Sequence, residues 1–371
     1  MKRIDPSRLA ITLLAGMLAG CAGRVSCGNP VADADCVAWS IFAEINQSAR
    51  RGRDAQWETW INRREVFDVY GVGKPPVWNG TPPAQKSLEA LQQLSMLDRE
   101  QAASSRTGAL MTVPPSPEDS EIRMNRPTFD FILKNGLWSI KGLREAYASG
   151  KKIDFPPESI EVKAKWEPIP ESEKANHHWQ YQEFQGTRRL IGLKAIHITS
   201  KVLPDWLWAT WKHESLLDAI DDRFGYPGNQ GMSERLDRIF RDKRLGAQWR
   251  HYRLIKTQTR FTDSTGRPSS AGNSAIEVGM GERSSCISCH SMARMDSSGT
   301  LLNSCNPCKW DCERNSKLVT GVPDPRWFRG TRQLDFVWSF RILGHLSCGE
   351  PGEGVCPIGG GCEGQAGSTE K

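Results

Sequence analysis

The hydrophobic period of this chain changes once, near Phe155, and that change limits the folds open to it. Before it, apolar residues recur at helical spacing. Ala38 to Ile45 is amphipathic, Trp57 to Phe67 carries an apolar face, and Leu88, Leu91, Leu94 and Leu97 line one side of Ser87–Glu100. A Pro-rich break covers residues 113–119, and helical periodicity resumes over Arg123–Ser149 around Phe129, Ile132 and Leu133. After Phe155 the period is two. Ile160, Val162, Ala164 and Trp166 alternate with Glu161, Lys163 and Lys165. Thr187–Lys201 places Ile191, Leu193, Ala195 and His197 on one face. A third strand follows Pro204, with Leu207, Ala209, Trp211 and His213 on one face and Trp206 and Trp208 on the other. Gln248–Phe261 is a fourth, and Leu334–Leu343 a last, with Phe336, Trp338, Phe340 and Ile342 together. The pattern predicts an α+β chain, with a helical and loop-rich part over 37–154 and a β-rich part over 155–345. No internal repeat is present.

Inside the β-rich part lies Cys286-Ile-Ser-Cys289-His290. Cys-x-x-Cys-His is the attachment signature of a c-type haem. Two thiols at this spacing reach the two vinyl groups of one porphyrin, and the next residue offers an imidazole as proximal iron ligand. The expectation is one covalent haem c on Cys286 and Cys289, with His290 on the iron and a helix within Asn273–Met295 carrying the motif. A rival reading uses the same cysteines. Fifteen residues after Cys289 comes Cys305-x-x-Cys308, which is zinc-ribbon spacing for a structural zinc site made of four cysteines. Against it stand His290 directly after the first pair and Cys312, a fifth sulfur that a four-ligand site does not need. Cys305–Cys308 followed by Lys309 is also open to a second haem or to a loop disulfide.

The N-terminus bears on the compartment. Lys2, Arg3 and Arg8 precede a short apolar run, Leu9–Gly20, too short to span a bilayer and read as a signal peptide over 1–20. The run ends Leu18-Ala19-Gly20-Cys21, a lipobox pattern that predicts acylation of Cys21. Ala22 follows rather than Asp, which leans towards the outer membrane. The expected protein hangs from that membrane by its lipid, facing the periplasm, with a polar tether over 21–36. The chain has 11 Cys. Setting aside Cys21, Cys286 and Cys289 leaves Cys27, Cys36, Cys305, Cys308, Cys312, Cys348, Cys356 and Cys362, an even number that suits disulfides in an oxidising compartment. Cys27 with Cys36 is the simplest pair. The others lie in polar or Gly-rich stretches, so 346–371 reads as a disulfide-stapled tail.

Charge excludes less than it suggests. The formal net charge is +6, but lysines and arginines are scattered among acids, and no basic stripe points to nucleic acid. There is no Gly-x-Ser-x-Gly elbow, phosphate loop or His-Glu-x-x-His motif. Asp221-Asp222 and Glu118-Asp119 read as solvated surface, and the 14 Trp as core filling.

A resemblance adds to this reading. Segments AWSIFAEINQ (38–47), WETWINRREVF (57–67), NRPTFDFILKNGLWSIKG (125–142), PPESIEVKAKWEPI (156–169), LIGLKAIHITSK (190–201), PDWLWATWKHES (204–215), RSSCISCHSMA (283–293) and LDFVWSF (334–340) resemble, in this order, a group of proteobacterial c-type cytochrome lipoproteins. The resemblance carries His197 and His213 over as haem-pocket candidates. The second Cys pair and the Gly/Cys tail depart from that pattern. More distantly, the second half resembles the β-sheet cytochromes c-prime and the lysine-crosslinked haem enzymes that oxidise hydroxylamine. That implies a mostly antiparallel sheet packed on helices, and makes Lys194 a candidate counterpart of the crosslinking lysine.

The sixth iron position separates the functions. A Met or His there suits electron transfer to a redox partner protein or small molecule. An open position suits a haem enzyme or gas-binding protein acting on a small nitrogen or oxygen species. Met292 and Met295 are too close to the motif to cross the ring and read as packing. Met280, His345, His197 and His213 are the other candidates. His177, His178 and His251 read as solvent-facing, and Arg253, Lys256 and Arg260 either offer cations to haem propionates or form a solvated strand face.

Overall fold

The computed structural model describes residues 27–49, 54–68, 71–78, 120–184, 187–217, 233–276, 284–302 and 320–345. The expected leader with Cys21, the helix expected over Ser87–Glu100, Met280, the Cys305/Cys308/Cys312 group and residues 346–371 lie outside them. Helix α1 (Ala34–Ile45) comes first, then strand β1 (Ile61–Asn62) and the short α2 (Arg63–Val66). Strand β2 (Ser120–Met124) leads to α3 (Arg126–Lys134) and α4 (Ile140–Ser149). Then follow β3 (Ile160–Pro168), β4 (Trp179–Phe184), β5 (Thr187–Ser200) and β6 (Leu207–His213). Helix α5 (Ser233–Asp242) precedes β7 (Tyr252–Gln258), and α6 (Cys286–Ser291) carries the motif. A small hairpin pairs β8 (Arg294–Met295) with β9 (Arg332–Gln333).

Strands β1 to β7 form one antiparallel sheet in the order β1-β2-β3-β5-β6-β7, with β4 also paired to β5. The α+β class and the antiparallel sheet are therefore as expected. The sheet draws β1 and β2 from the 37–154 part, so its edge reaches back across the change of period.

The sheet separates two cores. On the first face, Val162, Ala164, Ile196, Ile198, Leu207, Ala209 and Trp211 pack against α1 and α5. Trp39 and Phe42 of α1 lie 5.6 and 4.9 Å from the Trp211 ring, aromatic contacts that add to their area burial. A Cys27–Cys36 disulfide fastens the start of the described chain to α1. On the second face Trp206 and Trp208 join α3, α4, α6 and residues 334–343. Helix α3 starts where Asn125 accepts a hydrogen bond from the Thr128 amide, with Pro127 in the first turn.

Three expectations need correction. Residues 334–343 are not a strand. Asp335 and Phe336 take left-handed backbone (φ 48° and 69°), and a 3-10 helix runs over Trp338–His345. The buried apolar residues are Leu334, Val337, Phe340 and Leu343, a period of three that alternation concealed. Second, β5 does not keep one face throughout. Its register against β3 slips between Lys165 and Trp166, which makes Lys194 the extra residue of a bulge. Leu193 thus points to the first core and His197, beyond the bulge, to the opposite face. Third, His177 and His178 are buried, not solvent-facing.

Candidate cofactor site around Cys286, Cys289 and His290

Helix α6 is short and is held from outside itself. Ser285 caps it, its Oγ accepting from the Ser288 amide. Gln258, the last residue of β7, accepts from the Ile287 amide at 3.0 Å and donates to Ser285 Oγ at 2.9 Å. Ser288 Oγ donates to the Gly321 carbonyl at 2.7 Å, and Trp338 Nε1 to the Cys289 carbonyl at 3.1 Å. Ile287 is buried in the second core. Between Ser284 and Met295 every residue is buried except Cys286, Cys289 and His290. Positions i, i+3 and i+4 share one helix side, so the motif residues form the single open strip of this segment.

Neither cysteine is in a disulfide, and Cys286 Sγ donates to the Ala271 carbonyl at 3.0 Å. His290 Nδ1 donates to the Phe336 carbonyl at 2.8 Å. That bond fixes the tautomer that leaves the lone pair on Nε2, as a metal-ligating imidazole requires. The Trp208 ring lies 4.4 Å from the imidazole. The Phe336 carbonyl is held by unusual backbone. A left-handed Phe costs about 1–3 kcal/mol, so its surroundings must over-determine it. They do so through Asp335, whose carboxylate accepts from Lys201 Nζ at 2.6 Å and from the Phe155 amide at 2.7 Å. Burial raises the Asp335 carboxyl above the usual carboxylate range, against the pull of Lys201.

The second sheet face continues away from the motif in register. Trp208 stands between Thr199 and Gln258, with Glu161 beyond Thr199. The next row is Lys163, His197, Thr210 and Lys256. Residues 273–274 cross this part of the face, where Asn273 Nδ2 donates to Thr210 Oγ1 and Lys212 Nζ to Ser274 Oγ, both at 2.7 Å. His197 therefore shares a face with Trp208, one row from the ring that touches His290. Lys256 is on that face too, and burial lowers its pKa. Arg253 instead pairs with Glu214 at 2.8 Å, beside the histidines described next.

His213 lies elsewhere. It packs against Tyr252 of the first core, its Nε2 donates to the Asn176 carbonyl at 3.0 Å, and its Nδ1 accepts from the Ser215 amide at 3.1 Å. It stacks on His177, and His251 lies 6.1 Å away. Lys194 belongs to the same group, donating to His177 Nε2 and Ser215 Oγ, both at 3.0 Å. Both His213 and Lys194 are thus placed with the first core rather than with His290. His178 is hydrogen-bonded to Glu58 at 2.9 Å and stacks on Trp249.

One more buried group bears on what the site can hold. Arg294 is 0% exposed. Its Nη1 donates to the Met292 carbonyl, while Nε and Nη2 have no hydrogen-bond partner among the described residues. A buried guanidinium with unsatisfied donors is costly, and an anion would offset that cost. Met292 and Met295 are fully buried, and Met295 packs in the second core. Two thiols and an imidazole on one open strip, followed in sequence by the incompletely hydrogen-bonded Arg294, fit a covalently held porphyrin bearing carboxylates. Among the described residues no cluster of three or more His, Cys, Asp or Glu is arranged to hold a metal ion by itself.

Sequence reasoning named the motif but missed its support. Gln258, Trp208, Lys201, Asp335 and Arg294 belong to no motif. A left-handed backbone at a non-glycine residue leaves no trace in a hydrophobic pattern. No family model, no curated protein and no solved structure matches this chain.

Proposed function

We propose that this chain is a monohaem c-type cytochrome that transfers electrons. Cys286 and Cys289 hold the haem by thioether bonds and His290 Nε2 is the proximal ligand. The observation that carries this reading is the open strip: in an otherwise buried segment, only these three side chains are accessible. The haem supplies the one-electron couple. The chain's own residues do the positioning. Gln258 and Trp338 fix α6, and the Phe336 carbonyl orients His290 and raises its basicity. His197, which shares the Trp208 face, is the distal candidate, and His213, hydrogen-bonded on both ring nitrogens beside the first core, is set aside.

The lipobox supports a chain anchored through acylated Cys21 to the outer membrane, facing the periplasm, with a redox protein or small molecule as partner and no nucleic acid. No helix of the described residues is long and apolar enough to cross a membrane. The resemblance to c-type cytochrome lipoproteins points the same way.

A second reading, a haem enzyme or gas-binding protein with an open distal site, is favoured by one observation. The row Lys163, His197, Thr210 and Lys256 offers hydrogen-bonding groups rather than a thioether. Absorption spectra separate the two. A six-coordinate low-spin spectrum in both oxidation states supports electron transfer. A high-spin ferrous form that binds carbon monoxide rapidly supports the second reading and removes the first.

A further inference from the structure

We propose that the buried Lys201–Asp335 ion pair is a positioning device that sets the electronic state of His290 by fixing the Phe336 carbonyl. The inference rests on the haem reading and names residues that the motif does not contain. The connections are continuous. Lys201 Nζ, at the end of β5, donates to Asp335 Oδ1 at 2.6 Å and to the Pro204 carbonyl at 2.8 Å. Asp154 lies 3.0 Å from the same ammonium. Asp335 Oδ2 accepts from the Phe155 amide. Both partners of the Lys201–Asp335 pair are almost wholly buried, with side-chain exposures of 6% and 4%. Asp335 is thereby tied to β5 through Lys201 and to the segment before β3 through Phe155.

That tie explains why two successive non-glycine residues stay left-handed. Asp tolerates such backbone, whereas Phe rarely adopts it. Asp335 is fixed by its carboxylate, so the peptide that follows is turned, and the Phe336 carbonyl meets His290 Nδ1 at 2.8 Å. The Phe336 ring packs at the edge of the second core, 6.1 Å from Trp208 and 6.4 Å from Phe261, and the Val337 amide donates to the Leu334 carbonyl at 3.0 Å across the turn. The Asp335 carboxylate is what ties this turn to Lys201 and Phe155. A firm acceptor at Nδ1 gives the imidazole more imidazolate character, which favours ferric over ferrous iron and lowers the midpoint potential.

Two variants test this. Asp335→Asn and Lys201→Met loosen the anchor. In the haem-loaded protein, both should raise the midpoint potential. The same question is put to haem-free protein, made as Cys286→Ala with Cys289→Ala. There, nitrogen-15 shifts should report a His290 protonated at Nδ1, and Asp335→Asn should mix in the other tautomer. If the anchor variants lose thermal stability but keep the potential and the tautomer, the pair is merely structural and the proposal fails. If no haem attaches to wild type, the cytochrome reading fails instead, and the tautomer measurement still decides the role of the anchor.

Discussion

The imidazoles of His177 and His213 stack with ring centroids 3.6 Å apart and planes 20° from parallel. Two cationic rings could not share that geometry in a buried site. Lys194 donates to one of them, so the pair is held neutral. Burial is the main cause, with the neighbouring His177 and Lys194 charges adding to it, and it pushes His213 down to about 4 from 6.5. His177 is lowered too, again mainly by burial. Glu173, 3.7 Å from His177 Nδ1 and 3.6 Å from Lys194 Nζ, also faces the pair, as do His251 and Glu214.

The pH dependence follows from the sign of that shift. The unfolded chain binds the His213 proton more readily than the folded one, so stability rises with pH across the interval. The contribution is fully present above pH 6.5 and is lost as pH falls towards about 4. Its size is on the order of 3 kcal/mol. Urea denaturation at stepped pH should show that loss, and His213→Gln should flatten it. An unchanged slope in the variant would refute the assignment.

Glu161 predicts the opposite trend. Its Oε2 accepts from Ser339 Oγ at 3.0 Å while Oε1 is buried without a hydrogen-bond partner among the described residues, and desolvation raises its pKa from 4.5 to about 7. The folded state holds this proton more tightly than the unfolded one. Its contribution is present below pH 4.5 and fades as pH rises through 7. Glu161→Gln, which keeps the shape and removes the titration, should be relatively more stable than wild type at about pH 8 than at about pH 4. Parallel stability curves for the two proteins across that range would contradict this.

The first core makes a simpler demand. Trp211 is fully buried between Trp39 and Phe42. Trp211→Ala should cost about 3–5 kcal/mol by denaturant titration. A loss under about 1 kcal/mol would mean that this contact does not organise the first face.

Much of this architecture was legible in the residues, for identifiable reasons. The alternation at Ile160–Trp166 and Leu207–His213 reports burial on one side, and both segments are strands with Trp211 and Trp208 on opposite faces. The Cys286-x-x-Cys289-His290 spacing put its three side chains on one helix side. The failures have local causes. The bulge at Lys194 inverts the face of His197 relative to Leu193, and a bulge is invisible to a strict period of two. At 334–343, alternate residues are aromatic, but the period that is buried is three. His177 and His178 looked polar enough for solvent, yet each finds a partner inside, Lys194 for one and Glu58 for the other. Contacts across long sequence separations, such as Lys201 with Asp335, had no local signal at all.

Arg294 offers a test that depends on the state of the site. Its Nε and Nη2, without a partner among the described residues, make it a liability when no anion is present. Arg294→Met should stabilise haem-free protein by roughly 1–3 kcal/mol and should destabilise haem-loaded protein. The same sign of change in both forms would show that no group arriving with the cofactor pairs with this guanidinium.

The central claim is covalent haem on Cys286 and Cys289. It is tested most directly by intact mass and acid–acetone extraction of protein exported to the periplasm with the cytochrome c maturation machinery present. The account predicts a mass increase of one haem and a colour that stays with the polypeptide after extraction. It also predicts that the increase is lost in Cys286→Ala with Cys289→Ala. A colourless chain at its unmodified mass, or haem that leaves wholly into the organic phase, would contradict it.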